Sequence, residues 1–274
     1  MDVEFRSAAQ FPPEEIVATA TRGFEGYLVP IRLDVATLLG MTRVDRVDLA
    51  ASVVALRGTT PVGVALVARR GGDSRLAGMS IEPQSRRQGI GLQLVRHLVL
   101  AARERGEREF VLECIEQNVP ALRLYHAAGF KNLRRLVGYV SDHLEPKSDA
   151  TLEEVDPASV SVAVSRWGLE NLPWQIAPET LAALNPPHCA FRLGAASAII
   201  TDPADKAVTL RGLVVKSEAR RQGFGTRLLQ ALAGRFPEKT WRFAAVVPEE
   251  VPEAFFTRLG FHKSALTQFQ MVHG

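Results

Sequence analysis

The apolar positions follow two alternating periods along the chain. Residues 3–7, VEFRS, alternate as a strand does. Phe11-Pro12-Pro13-Glu14-Glu15 then resembles a helix start, with prolines in the first turn and acids at the positive end of the dipole. That helix is expected to run to about Thr21, and a second to cover roughly residues 34–42. From Leu49 the period falls to two. LAASVVALRG, VGVALVARR and RLAGMSI, joined by turns at 59–61 and 71–73, predict a three-strand antiparallel meander. Between Gly91 and Arg105 the residues Leu92, Val95, Leu98, Val99 and Ala102 share one helical face. Phe110 to Ile115 reads as a strand and Pro120 to Ala128 as a helix stopped by Gly129. From Phe130 a strand period returns through Leu133, Leu136 and Tyr139.

The pattern then starts again. Residues 142–157 are polar and read as a linker, and 158–184 as a helical region broken at Pro173 and Pro178. Strands are expected at 189–193, 195–201, 209–215 and 241–247, with a helix running to Leu232. Residues 79–94, MSIEPQSRRQGIGLQL, recur as 213–229, LVVKSEARRQGFGTRLL. Gly89 and Gly91 return as Gly223 and Gly225, and the offset, 223 − 89 = 134, is close to half of 274 residues. Two α/β domains are therefore expected, 1–143 and 144–274.

The repeated stretch is a strand, a turn and two glycines opening an amphipathic helix, which brings helix N-terminal amides close to an anion, most often a phosphate. A mononucleotide loop needs Lys and Ser or Thr after its glycines, and here Leu92 follows Gly91. A dinucleotide loop needs a third glycine, which is absent. With 33 basic and 30 acidic residues the net charge of +3 is too mild to suggest nucleic acid. Cys114 and Cys189, one per half in apolar surroundings, read as reduced core thiols, and no histidine has a partner at metal-ligand spacing. No apolar run approaches the roughly 20 residues that cross a bilayer. No basic-then-apolar leader opens the chain, so a cytoplasmic protein without membrane contact is expected.

Two motifs, Arg86-Arg87-Gln88-Gly89-Ile90-Gly91 and the series Asn118, Ala121, Leu124, Tyr125, Gly129, Phe130, stand in that order with the expected elements between them. Together they resemble the GNAT superfamily of acyl-CoA-dependent N-acyltransferases. The resemblance implies two tandem GNAT-like domains, each an α/β fold with a mixed sheet. It implies acetyl-CoA as donor and no metal. The pyrophosphate would sit on the amides of Arg86, Arg87, Gln88, Gly89, Ile90, Gly91 and Leu92, with the pantetheine arm along Met79, Ser80 and Ile81. Tyr125 matches the general acid of the family, and Asn118 lies where it would touch the pantetheine or cap its helix.

Acyl transfer from a thioester needs a neutral amine, a steadied oxyanion and a proton for the leaving thiolate. A phenol such as Tyr125 is protonated at neutral pH and can supply that proton; the alternative is a core tyrosine. Glu113, among apolar neighbours in its strand, is the candidate base; the alternative is that it faces the other side of the sheet and pairs with an arginine. Phe24, Glu25 and Tyr27 lie in a glycine- and proline-broken connection and are candidates for acceptor binding, or else Phe24 and Tyr27 cap the core.

In the second half the counterparts of Tyr125 and Asn118, counted back from Gly260, are Phe256 and Glu249. Its cradle, Arg220, Arg221, Gln222, Gly223, Phe224 and Gly225 after Leu213 and Val215, remains able in principle to hold CoA. Without the acid its catalysis is not expected. The expected protein is an N-acetyltransferase, active in its first domain by direct attack of a primary amine in a ternary complex, as monomer or homodimer. A non-catalytic acyl-CoA-binding or regulatory protein is the alternative.

Overall fold

The computed structural model describes residues 3–274. The chain forms two compact units, Met1–Leu133 together with Phe269–Gly274, and Arg134–Gln268.

In the first unit β1 (Val3–Ser7) precedes α1 (Pro13–Gly23) and α2 (Val35–Val44). Asp34 caps α2 by accepting from the Thr37 amide at 2.7 Å, satisfying a donor that the helix itself leaves open. The meander follows as β2 (Val53–Arg57), β3 (Thr60–Arg70) and β4 (Asp73–Ile81), each antiparallel to its neighbour, with β1 on β2. Next come α3 (Ile90–Glu104), β5 (Glu109–Ile115) parallel to β4, and α4 (Val119–Ala127). The apolar face of α3 is buried at Leu94, Val95, Leu98, Val99 and Ala102, against Leu76, Phe110 and Leu112 of the sheet. Gly129 takes a φ of +97° at the end of α4, a backbone state that glycine reaches without steric cost. These elements match the periods read from the sequence to within about two residues at each end, except that β2 starts at Val53, four residues after the period of two begins at Leu49.

The chain terminus is the unexpected member of this unit. The strand β6 (Lys131–Ser141) leaves the first unit after Leu133, and Phe269–Gly274 enters it from the far end of the sequence. Met271 is fully buried in the first core, and the His273 ring lies 5.4 Å from Phe130.

The second unit repeats the order with β7 (Glu153–Val155), α5 (Pro157–Trp167), α6 (Pro178–Ala182), β8 (Cys189–Leu193), β9 (Ala196–Ile200) and β10 (Ala207–Val215). It continues with α7 (Phe224–Arg235), β11 (Thr240–Pro248), α8 (Glu253–Thr257) and β12 (His262–His273), whose last residues belong to the first unit. Strands β7 to β10 are antiparallel, β11 is parallel to β10, and the end of β6 pairs antiparallel with β11. The polar stretch 142–157 does more than connect. Leu144 is buried in the second core, and the Lys147 amide donates to the Gln230 carbonyl of α7 at 2.9 Å. Among the described residues no helix is long and apolar enough to cross a membrane.

Candidate active site

The site begins where two parallel strands separate. β4 and β5 pair only from Asp73↔Glu109 to Leu76↔Leu112, although β4 continues to Ile81 and β5 to Ile115. At the parting, Ala77 is an extra residue in the β3–β4 register, between Leu66↔Gly78 and Val67↔Leu76, and such a bulge bends its strand. The backbone of Met79, Ser80 and Ile81 on the β5 side is thereby left for an extended ligand to pair with, as an added strand would.

The turn after β4 leads into α3. Arg87 and Gly89 both adopt positive φ, +60° and +79°, and Gly89 stands at the N-cap of α3 with no side chain to satisfy the first-turn amides. Gly91 serves a different contact, since a Cβ there would lie 2.8 Å from Leu124 Cδ1 of α4. Arg86, whose amide is expected at the pyrophosphate, donates that amide to the Pro83 carbonyl at 3.3 Å, and its guanidinium is committed as well. It donates to the Ile81, Gly23 and Glu25 carbonyls, each at 2.9 Å, and so ties the α1–α2 connection to the end of β4. Gln88 donates to the Gln84 carbonyl at 2.9 Å and accepts from Arg57. Arg86 and Gln88 therefore shape the loop.

The tie holds the segment that carries Phe24 and Tyr27, whose rings lie edge to face at 5.4 Å. Asn118 caps α4 by accepting from the Ala121 amide at 3.3 Å, and its side chain also hydrogen-bonds the Tyr27 phenol. Burial raises the Tyr27 pKa, against that hydrogen bond and together with the nearby Cys114. Tyr125 on α4 is buried against Phe130, and burial, with smaller contributions from Cys114 and Tyr27, holds its phenol well above the ordinary value. Tyr27, Asn118 and Tyr125 thus lie together, a grouping that the sequence does not give. Cys114 is the member that sequence reading assigned to the core alone. Its thiol is buried, and burial pushes its pKa up to about 12, so it is a neutral wall and not a nucleophile. The signal was present in VLECI: Leu112 and Cys114 share the strand face that α3 and α4 cover.

Glu113 points to the other face. Its carboxylate accepts from Arg75 Nε at 2.7 Å, with both side chains buried. Of the two arrangements the sequence left open, the arginine pair is the one present. Glu25 contributes its carbonyl to the Arg86 tie, and its carboxylate is not part of that contact.

The second unit repeats the frame. β10 and β11 pair from Ala207↔Thr240 to Leu210↔Phe243, with Arg211 as the extra residue opposite β9. Arg221 and Gly223 take φ of +61° and +84°, Gln222 donates to the Glu218 carbonyl at 2.9 Å, and Arg220 donates to the carbonyls of Val215 and Trp167. The reactive end differs. Phe256, in the place of Tyr125, is stacked flat on Tyr139 at 3.8 Å. Glu249, in the place of Asn118, is paired with Arg135 at 3.0 Å and Lys263 at 3.7 Å. Among the described residues no group of three or more His, Cys, Asp or Glu could hold a metal ion.

Comparison with known proteins agrees with the duplicated frame. Residues 24–130 match the acetyltransferase (GNAT) family and residues 189–263 an acetyltransferase (GNAT) domain, together about two thirds of the chain. The structure is similar to that of a tandem GNAT protein from the clavulanic acid biosynthesis pathway, with a TM-score of 0.68 and 18% identity over 99% of this chain and 98% of that one. It is also similar to a GCN5-related N-acetyltransferase from Sphaerobacter thermophilus, with a TM-score of 0.69 and 14% identity over 99% and 95% of the two chains. A third, from Anabaena variabilis, has a TM-score of 0.68 and 16% identity over 99% and 72%. At these identities the likeness concerns the fold. No curated protein matches in sequence.

Proposed function

We propose, for a chain that belongs to the GNAT acetyltransferase family through both its halves, that the first unit transfers acetyl from acetyl-CoA to a primary amine by direct attack in a ternary complex. The observation that carries this reading is the convergence of a buried phenol, Tyr125, with Tyr27 and Asn118 beside the β4–β5 parting. The residues present fit the donor. The amides of 87–92 suit a pyrophosphate, and Met79 to Ile81 offer the strand edge that a pantetheine arm would extend. Acetyl-CoA supplies the activated thioester carbonyl.

The protein groups then divide the remaining work. Tyr125 stays protonated across the neutral range, because burial opposes its ionisation, and serves as proton donor toward the leaving sulfur. Asn118 orients Tyr27, and with Phe24 this phenol forms an aromatic wall against which the acceptor rests. Glu113 is committed to Arg75, so the amine proton leaves through water to solvent. In the second unit a cradle without the phenol keeps a CoA-binding role, with no turnover of its own.

The test is free thiol released when the protein is mixed with acetyl-CoA and a broad panel of amines. Amine-dependent release supports the enzyme. Tight acetyl-CoA binding without release from any amine would favour the non-catalytic binding protein instead.

A further inference from the structure

The buried pair Arg75–Glu113 sits at a telling place. The last paired rung of the parting strands is Leu76↔Leu112; Arg75 lies one residue before it on β4, and Glu113 one residue beyond it on β5. Their 2.7 Å contact therefore crosses from one strand to the other at the crotch of the fork, on the sheet face opposite Cys114 and Tyr125. With side-chain exposures of 9% and 3%, neither charge is well hydrated. A charged pair taken out of water gives little net stability compared with apolar residues of the same size, but it is exacting about geometry.

The second unit lacks this device. Aligning the last rungs, Leu76↔Leu112 with Leu210↔Phe243, places Thr209 where Arg75 stands and Ala244 where Glu113 stands. The fork is thus duplicated, whereas the ion pair across it belongs only to the unit that also keeps the phenol.

We infer that Arg75 and Glu113 form a positioning clamp that fixes the opening of the β4–β5 fork, so that the thioester arm enters in register with Met79–Ile81 and its sulfur meets Tyr125. Neither group touches the reacting atoms. Glu113 acts through Arg75 and not as a base. This rests on the acetyltransferase reading above, and it adds a reason why one fork is competent and the other is not.

Three variants test it: Arg75→Met, Glu113→Gln and the double Arg75→Met/Glu113→Met. Acetyl-CoA affinity is read by calorimetry well below the melting temperature, amide hydrogen exchange over residues 79–81 reports the fork, and turnover is followed against pH. Arg75→Met takes the guanidinium away from a buried carboxylate and is expected to weaken acetyl-CoA binding at least about tenfold and to speed exchange at 79–81. The apolar double is expected to recover affinity to within about threefold of wild type and to restore protection, because both charges of the pair are removed together. Glu113→Gln is expected to lower turnover less than about tenfold without moving the acidic limb of the pH profile, since an amide still accepts from Arg75.

Loss of turnover by about a hundredfold or more in Glu113→Gln, with binding intact and the acidic limb gone, would make Glu113 the base and overturn the clamp. A double variant that binds no better than Arg75→Met would overturn it as well. Should the wild type bind no acetyl-CoA, the acetyltransferase reading fails, while exchange at 79–81 still decides whether the pair holds the fork.

Discussion

Gly23 offers a sharp test of how the first unit is assembled. It is the last residue of α1, and a Cβ built there would lie 2.3 Å from Ser80 Oγ, 2.6 Å from Ser80 Cβ and 3.2 Å from the Ile81 amide nitrogen. Two of these neighbours are not flexible side-chain ends, so Gly23→Ala must drive α1 and β4 apart. The same shift strains the bond from Ser80 Oγ to the Ala20 carbonyl at 3.2 Å, and that from Arg86 to the Gly23 carbonyl at 2.9 Å. Overpacking costs about 1–3 kcal/mol and a lost hydrogen bond about 1 kcal/mol, so a loss of about 2–4 kcal/mol is expected. For a unit of this size that is a fall of roughly 7–14 °C in melting temperature, read by far-ultraviolet dichroism. Because the displaced residues are those that would pair with the pantetheine arm, acetyl-CoA affinity should fall at least about fivefold, by calorimetry. Adding Ser80→Gly makes room for the methyl and should recover much of both losses. A Gly23→Ala protein that melts and binds like the wild type would refute the packing argument.

Three further outcomes are expected. Gly89→Ala and Gly223→Ala put the same strain on equivalent positive-φ positions, about 1–2 kcal/mol each, yet only the first should depress amine-dependent thiol release; equal loss from both would mean that both cradles serve turnover. In a Cys189→Ser background, Cys114 should react slowly with an aromatic disulfide reagent at pH 8 in the folded protein and fast after denaturation; rapid labelling of the folded form would contradict a buried thiol pushed up to about 12. Glu107 is buried, which disfavours its charge, but hydrogen bonds from Arg105, Ser74 and Arg69 outweigh that and hold its carboxyl at about 2, below the usual 4.5. Its stabilisation is therefore complete above pH 4.5 and is lost as pH falls towards 2. Glu107→Gln should remove up to about 3 kcal/mol of this acid-dependent stability in urea titrations at several pH values, and an unchanged pH dependence would count against the assignment.

The elements that local physics dictates were legible in the chain. Asp34 before an apolar helix, Gly129 after one, and the alternation through 49–81 each have a short-range cause, and the structure places them accordingly. What could not be read was decided by distant partners. Nothing in the run 262–273 says that its last residues bury Met271 in the first core. Arg86 stands in the motif where an amide is expected at a phosphate, but that amide is held by the Pro83 carbonyl, and the carbonyls of Gly23 and Glu25 claim its guanidinium. Cys114 and Glu113 are adjacent, and only the faces of β5 decide that one joins the phenols and the other an arginine. The repeated cradle was plain, and so was the exchange of Tyr125 for Phe256, because both concern residue type at a fixed spacing.

If Tyr125 gives the first unit its chemistry, Tyr125→Phe should differ from wild type in amine-dependent release of free CoA, measured alongside acetyl-CoA affinity. Removing one hydroxyl from a buried ring should lower kcat by about a hundredfold or more while leaving the affinity within about threefold, as expected of a proton donor engaged only in the transition state. Turnover by Tyr125→Phe at the wild-type rate, with affinity equally unchanged, would contradict the account.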